Sequence, residues 1–180
     1  MLKLTTNERG EIRMSKLIII RGNSGSGKTT LAKQIHNRLP RNTLLISQDT
    51  VRRDMLRVKD GENTLGLPLF EDLLHYGYQN CDYVILEGIL NAEWYLPLFR
   101  QAEELFGKEI FAYYFDISFE ETLIRHKQRH ISSFGEKQMR SWWKEKDYIN
   151  FISETKFSSR TTLRQEIEKI MKDIGYVNNH

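Results

Sequence analysis

A single cysteine among 180 residues leaves no intramolecular disulfide framework and no thiolate-based zinc site. That residue, Cys81, is expected to be a small core or surface group. Long apolar runs are missing too: the longest, residues 17–20, is far too short to cross a bilayer. Residues 1–10 are polar and do not read as a secretory leader, so a reducing cytoplasm is the expected compartment, with no membrane partner. Charge of one sign is scarce. Twenty-seven Lys and Arg against 24 Asp and Glu give a net charge of +3, which suits an anionic small molecule without demanding nucleic acid. Among the five histidines only His126 and His130 have helical metal-ligand spacing, and they lie in a basic segment where a metal site is not expected. Internal repeats and low-complexity segments are absent.

What is present is an alternation of buried strands and amphipathic helices. Residues 17–20 form a continuous apolar, β-branched run, the pattern of a parallel strand covered on both faces. Similar short runs follow at 43–47, 83–86 and 110–115, with a weaker fifth strand expected at 151–154. Helical spacing of apolar residues predicts helices over 29–39, 49–58, 67–78, 92–106, 118–129, 137–148 and 162–174. Ser118 with Glu121 reads as a capping box, and Gly175 as a helix stop. The implied fold is α/β: a three-layer, mainly parallel sheet of about five strands with helices on both faces and a basic lid. One domain is expected over 16–180, behind an N-terminal lead-in over 1–15 in which Met14 is a candidate native start.

Directly after the first strand comes Gly22-Asn23-Ser24-Gly25-Ser26-Gly27-Lys28-Thr29-Thr30, which fits the P-loop pattern. The chemistry needs these residue types. Glycines let the backbone adopt positive φ and aim its N–H groups at phosphate oxygens, and the following helix adds its N-terminal dipole. Lys28 supplies a cation to the β- and γ-phosphates, and the Thr29 hydroxyl is a Mg²⁺ ligand. No Asn-Lys-x-Asp guanine-reading element occurs, which argues against a GTPase, and the chain is short for a remodelling ATPase. Small size and a basic segment late in the chain favour a kinase.

Two further stretches carry a family resemblance. Ser47-Gln48-Asp49-Thr50-Val51-Arg52-Arg53 follows the second strand and resembles the Asp-x-x-Arg element of polynucleotide 5′-hydroxyl kinases. Chloramphenicol phosphotransferase, zeta-toxin and gluconate kinases share that layout. Residues 115–129 look like the strand, helix and arginine-bearing lid of those enzymes, and Met139-Arg140-Ser141-Trp142-Trp143-Lys144 is similar to the helix after their lid. The resemblance implies ATP as phosphoryl donor with Mg²⁺ and a small-molecule or oligonucleotide acceptor; no stable protein partner is expected. It implies that Asp49 accepts the acceptor's proton, that Arg52 grips an anionic part of the acceptor, and that Arg125 and Arg129 cover the phosphates. Arg140 is a weaker third lid candidate.

Bland readings stand beside these. Asp49 in this place also suits a helix N-cap, and Arg52, Arg125 and Arg129 also suit solvated helix faces. Glu87 closes the third strand where an aspartate is usual. It is expected to reach a Mg²⁺-bound water or the acceptor hydroxyl, with Gly88 leaving room beside it. Asp116 is expected to cap or pack. The adjacent pairs Trp94/Tyr95 and Trp142/Trp143 each point two ways on a helix, so one member of each belongs to the core or an interface. Residues 59–79 are expected to line the acceptor side, although they match no motif. An antibiotic or nucleotide-sugar kinase, or an ATP-dependent switch without transfer, are the competing functions.

Overall fold

A computed structural model describes residues 14–128 and 135–176. Strand β1 runs Lys16–Gly22, followed by helix α1 over Lys28–Arg38 and strand β2 over Thr43–Ser47. A π-helical segment over Thr50–Leu56 leads to helix α2, Leu67–Asn80, and strand β3, Tyr83–Gly88. Then come helix α3, Leu96–Phe106, and strand β4, Ile110–Phe115. Helices α4, Phe119–Gln128, and α5, Glu136–Trp142, precede strand β5, Glu154–Phe157, and helix α6, Leu163–Asp173.

All strand pairs are parallel, in the order β2-β3-β1-β4-β5. The chain leaves β1 towards one edge and later crosses to the other, so the crevice for a ligand lies at the carboxyl ends of β1 and β3. Strand β1 shows why the sheet needs two helical layers. Leu17, Ile18, Ile19 and Ile20 are all 0% exposed, so both faces of the strand are covered. Leu17 and Ile19 join Phe70, Leu74, Leu98 and Phe99 of α2 and α3 in one core. Ile18 and Ile20 join Leu31 and Ile35 of α1 and Ile170 of α6 in the other. Each such side chain contributes roughly 1.5–3 kcal/mol of gross burial energy. The three-layer α/β fold is therefore as expected.

Several boundaries differ, each for a physical reason. The helix expected over 137–148 stops at Trp142, because Lys144 turns outward to pair with the P-loop: its N–H donates to Asn23 Oδ1 at 3.1 Å, and its carbonyl accepts from Asn23 Nδ2 at 2.8 Å. The fifth strand lies at Glu154–Phe157 rather than 151–154, with Phe157 in register against Phe115. Phe151 instead lies under the Arg100 guanidinium, 3.5 Å from ring centroid to carbon. Helix α3 starts at Leu96 rather than 92, since Asn91 Oδ1 accepts the N–H groups of Glu93 and Trp94 and turns the chain there. The helix expected over 49–58 is wound as a π-helix and ended by Arg57 in the left-handed region, φ 57°. Of the capping box at Ser118 only half forms: Glu121 N–H donates to Ser118 Oγ, while the Glu121 carboxylate turns to Arg125. Cys81 is buried in the core. No helix among the described residues is long and apolar enough to cross a membrane.

Candidate functional site

A cavity of about 710 Å³ opens at the carboxyl ends of the strands, between the P-loop, the π-helical segment, the loop after β3 and the chain after α5. The P-loop has the geometry that anion binding demands. Gly22, Gly25 and Gly27 have φ of 146°, 80° and 114°. At Gly22 a Cβ would stand 2.8 Å from Phe115 Cβ, so this hairpin-tight exit from β1 admits glycine only. Lys28 opens α1, and its Nζ donates to Asn23 O at 2.9 Å, spanning the mouth of the loop. Gly22, Asn23, Ser24, Gly25, Gly27, Lys28 and Thr29 line the cavity; Ser26 and Thr30 are not among its lining residues.

Beside the loop, Thr29 Oγ1 lies 3.3 and 3.4 Å from the two oxygens of Glu87, which also accepts Ser47 Oγ–H at 2.6 Å. The register places Ile20, Glu87 and Ser47 opposite one another across β1, β3 and β2. A hydroxyl and a carboxylate of hard oxygens thus meet at the N-terminus of α1, a donor set that fits a magnesium ion completed by phosphate and water. Among the described residues no group of three or more His, Cys, Asp or Glu side chains gathers to hold a metal.

Across the cavity stands Asp49. Its side chain makes no capping hydrogen bond to the helix it precedes. Instead Oδ1 meets Arg52 Nη2 at 3.3 Å and Arg53 Nε at 3.1 Å, so two guanidinium groups fix an otherwise exposed carboxylate. Arg52 is largely buried and donates from Nη1 to Val58 O, while its Nε has no hydrogen-bond partner. Gln48 ties this wall together. Its Oε1 accepts the N–H groups of Ile89 and Leu90, and its Nε2 donates to Asp60 Oδ2 at 2.9 Å and Tyr95 OH at 3.0 Å. Gly88 makes room for it, since a Cβ there would meet Gln48 at 2.5 Å. The Tyr95 hydroxyl donates to Asp60 Oδ1 at 2.7 Å, and burial together with that carboxylate pushes its pKa well above the ordinary tyrosine value.

The arginines expected over the phosphates fare differently. Arg125 does not line the cavity. Its Nη1 donates to Ser26 O at 2.9 Å, its Nε to Glu121 Oε1 at 2.9 Å and its Nη2 to Ser159 O, so it braces the outer side of the P-loop. Arg129 and His130 lie outside the described residues. Arg140 sits over the Phe119 ring, 4.1 Å from its centroid, and is exposed. His126 lines the cavity. Asp116 accepts Tyr148 O–H at 2.9 Å, a packing role. Of the paired aromatics, Tyr95 is buried and Trp94 faces the cavity, whereas Trp143 packs edge-on against Phe119 and Trp142 is exposed at the cavity rim. Of residues 59–79 only Lys59 and Asp60 reach the cavity, because α2 is committed to the core.

Behind Arg125 lies Glu166 of α6, buried, whose carboxyl is pushed up to about 7 by desolvation, opposed by the Arg125 charge. The folded state therefore holds a proton that the unfolded chain, with a carboxyl near 4.5, has already released. Between those two values stability falls as pH rises, and above about 7 this loss is complete. Glu166→Gln should consequently gain on the parent protein as pH is raised from 4.5 to 7. Urea unfolding at a series of pH values checks this, and a pH-independent difference between the two proteins would remove Glu166 as the source.

Sequence reasoning missed Asn91 and Asp147 and gave Gln48, Trp94 and Lys144 no role at the site, and the fold gathers all five from distant segments. It also passed over Arg21, a charge inside an apolar strand and therefore a visible signal.

A search of curated proteins finds no match. Among solved structures, the tunicamycin resistance protein of Deinococcus radiodurans superposes with a TM-score of 0.64 at 16% identity, over 91% of this chain and 97% of that one. A gluconokinase from Sinorhizobium meliloti 1021 gives 0.64 at 12%, over 93% and 99%. The Mycobacterium tuberculosis APS kinase, solved with AMPPNP and APS, gives 0.62 at 14%, over 88% and 96%. At such identities the likeness concerns the fold, which is that of P-loop kinases. The sequence itself matches a family described as AAA domain over residues 17–142, and to that family this P-loop protein belongs.

Proposed function

We propose that this protein is a kinase that transfers the γ-phosphate of ATP to a hydroxyl of a small molecule or of a nucleic-acid 5′ end. One observation carries the reading: Asp49, pinned by Arg52 and Arg53, shares a single cavity with Lys28 and the P-loop. The phosphate loop and the proposed proton acceptor therefore face one cavity.

In this reading the P-loop amides hold the polyphosphate, and Lys28 exchanges Asn23 O for the β- and γ-phosphate oxygens. Asp49 orients the acceptor hydroxyl and takes its proton as the new O–P bond forms. The bond between the γ-phosphorus and its bridging oxygen breaks, and ADP leaves. Thr29 and Glu87 would hold a magnesium ion, which when bound neutralises charge on the β- and γ-phosphates. Arg52 meets an anionic part of the acceptor, and Arg129 covers the phosphates as the resemblance implies. Arg125, by bracing Ser26, sets the shape of the loop. The working unit spans 16–180, and its compartment is the cytoplasm.

Incubation with γ-labelled ATP, magnesium and separate pools of oligonucleotides, nucleosides, sugars and aminoglycosides tests the reading. Label is expected in one pool, on a hydroxyl. Label in the aminoglycoside or sugar pool would select the antibiotic- or sugar-kinase alternative. Nucleotide binding with no acceptor in any pool would favour a switch instead.

A further inference from the structure

We infer that Lys144 is the second cation of the triphosphate site, gripping the γ-phosphate from the side opposite Lys28, and that Arg21 and Asp147 are the residues that position it. This rests on the kinase reading only in taking the P-loop ligand to be a nucleoside triphosphate.

The two lysines share one anchoring residue, Lys28 at its backbone carbonyl and Lys144 at its side-chain amide. Asn23 O receives Lys28 Nζ at 2.9 Å, and the Asn23 amide pairs in both directions with the Lys144 backbone, at 2.8 and 3.1 Å. Lys144 is thereby clipped to the phosphate loop, although 121 residues separate it from Asn23 in sequence. Its ammonium lies 3.2 Å from Asp147 Oδ1 and 3.6 Å from Glu93 Oε2, on the wall that continues towards Trp94 and the acceptor side. Both lysines line the same cavity.

Asp147 is built for this task. Its Oδ2 is fully engaged, accepting Arg21 Nη2 at 3.0 Å and Ala92 N–H at 2.9 Å, which leaves Oδ1 to face Lys144. Arg21 is 0% exposed and spends every donor nitrogen: Nε and Nη2 on Leu90 O, Nη1 on Glu154 and Nη2 on Asp147. Phe99 and Tyr114 flank its guanidinium. A buried ionic triad of this kind rarely improves stability over an apolar replacement, so a geometric role is the better account of it. Here that role is to fix one carboxylate oxygen beside a half-exposed lysine. The outer partner, Glu93, is itself exposed, so its ion pair yields readily to a phosphate oxygen.

The test is calorimetric titration of MgATP and of MgADP into the full chain and into Lys144→Met, whose side chain is not part of the core. Loss of one charged hydrogen bond to the γ-phosphate is expected to weaken MgATP binding about tenfold while MgADP is unaffected. Lys144→Arg should restore most of the difference, and Asp147→Asn should reproduce part of it. Lys146→Met, removing a neighbouring lysine paired with Glu145, serves as the control and should match the parent. Unchanged MgATP affinity in K144M, or an equal loss for both nucleotides, would overturn the assignment. So would unchanged MgATP affinity with a raised KM for the acceptor, which would move Lys144 to the acceptor. Failure of the parent protein to bind either nucleotide is a different outcome, since it removes the triphosphate site itself.

Discussion

Lys28→Ala should abolish useful turnover, with phosphoryl transfer falling by about three orders of magnitude or more. Lys28 is nearly buried at the head of α1, and its ammonium now rests on Asn23 O. That carbonyl is a placeholder: triphosphate oxygens offer a full negative charge at the same mouth. Alanine leaves the loop amides in place but removes the P-loop cation that follows charge as it shifts towards the bridging oxygen. Weaker MgATP binding in calorimetry and lost transfer in the labelled assay are both expected. Full turnover in the variant would falsify the role of the P-loop lysine.

Asp49→Asn should separate binding from chemistry. Asparagine keeps the size of the side chain and one oxygen for Arg52 and Arg53, so the wall of the cavity survives. It cannot take a proton from a hydroxyl. Transfer should drop by about 10²–10⁴ while MgATP affinity stays as in the parent protein. The contrast with Lys28→Ala is diagnostic, because one variant loses the donor and the other only the acceptor's activation. Parent-like transfer by the asparagine variant would take Asp49 out of the reaction and leave it as a partner for two arginines.

The parts of the site legible in the sequence were those carried by local pattern. The P-loop is contiguous, its residue types are dictated by backbone conformation, and the strand before it has a continuous apolar centre, Leu17 to Ile20. Asp49 and Glu87 were legible from their places at strand ends. What escaped was assembled by tertiary contact. Gln48 reaches Tyr95 and Asp60 across 47 and 12 residues, and no spacing rule connects them. The helix expected to continue through 148 was cut short by Asn23, a hydrogen-bond partner far away in the chain. Strand β5, Glu-Thr-Lys-Phe, is a short edge strand with one buried residue, so its apolar signal is too weak to set its boundary. The π-helical winding after Asp49 has no counterpart in the apolar pattern either, although the i,i+3 and i,i+4 spacing of Arg52 and Arg53 from Asp49 is visible in the sequence.

The ionic triad at the end of β1 also bears on biosynthesis. Arg21 emerges from the ribosome early, in the central strand, but its two carboxylate partners are Asp147 and Glu154, more than 120 residues later. Until they arrive, closing the sheet around that strand would seal in an uncompensated positive charge, at a cost of several kcal/mol. Burial of β1 is therefore disfavoured until the segment that carries Asp147 and Glu154 joins the sheet. An edge strand with a single buried residue, β5, thus supplies one of the charges on which the burial of the central strand depends.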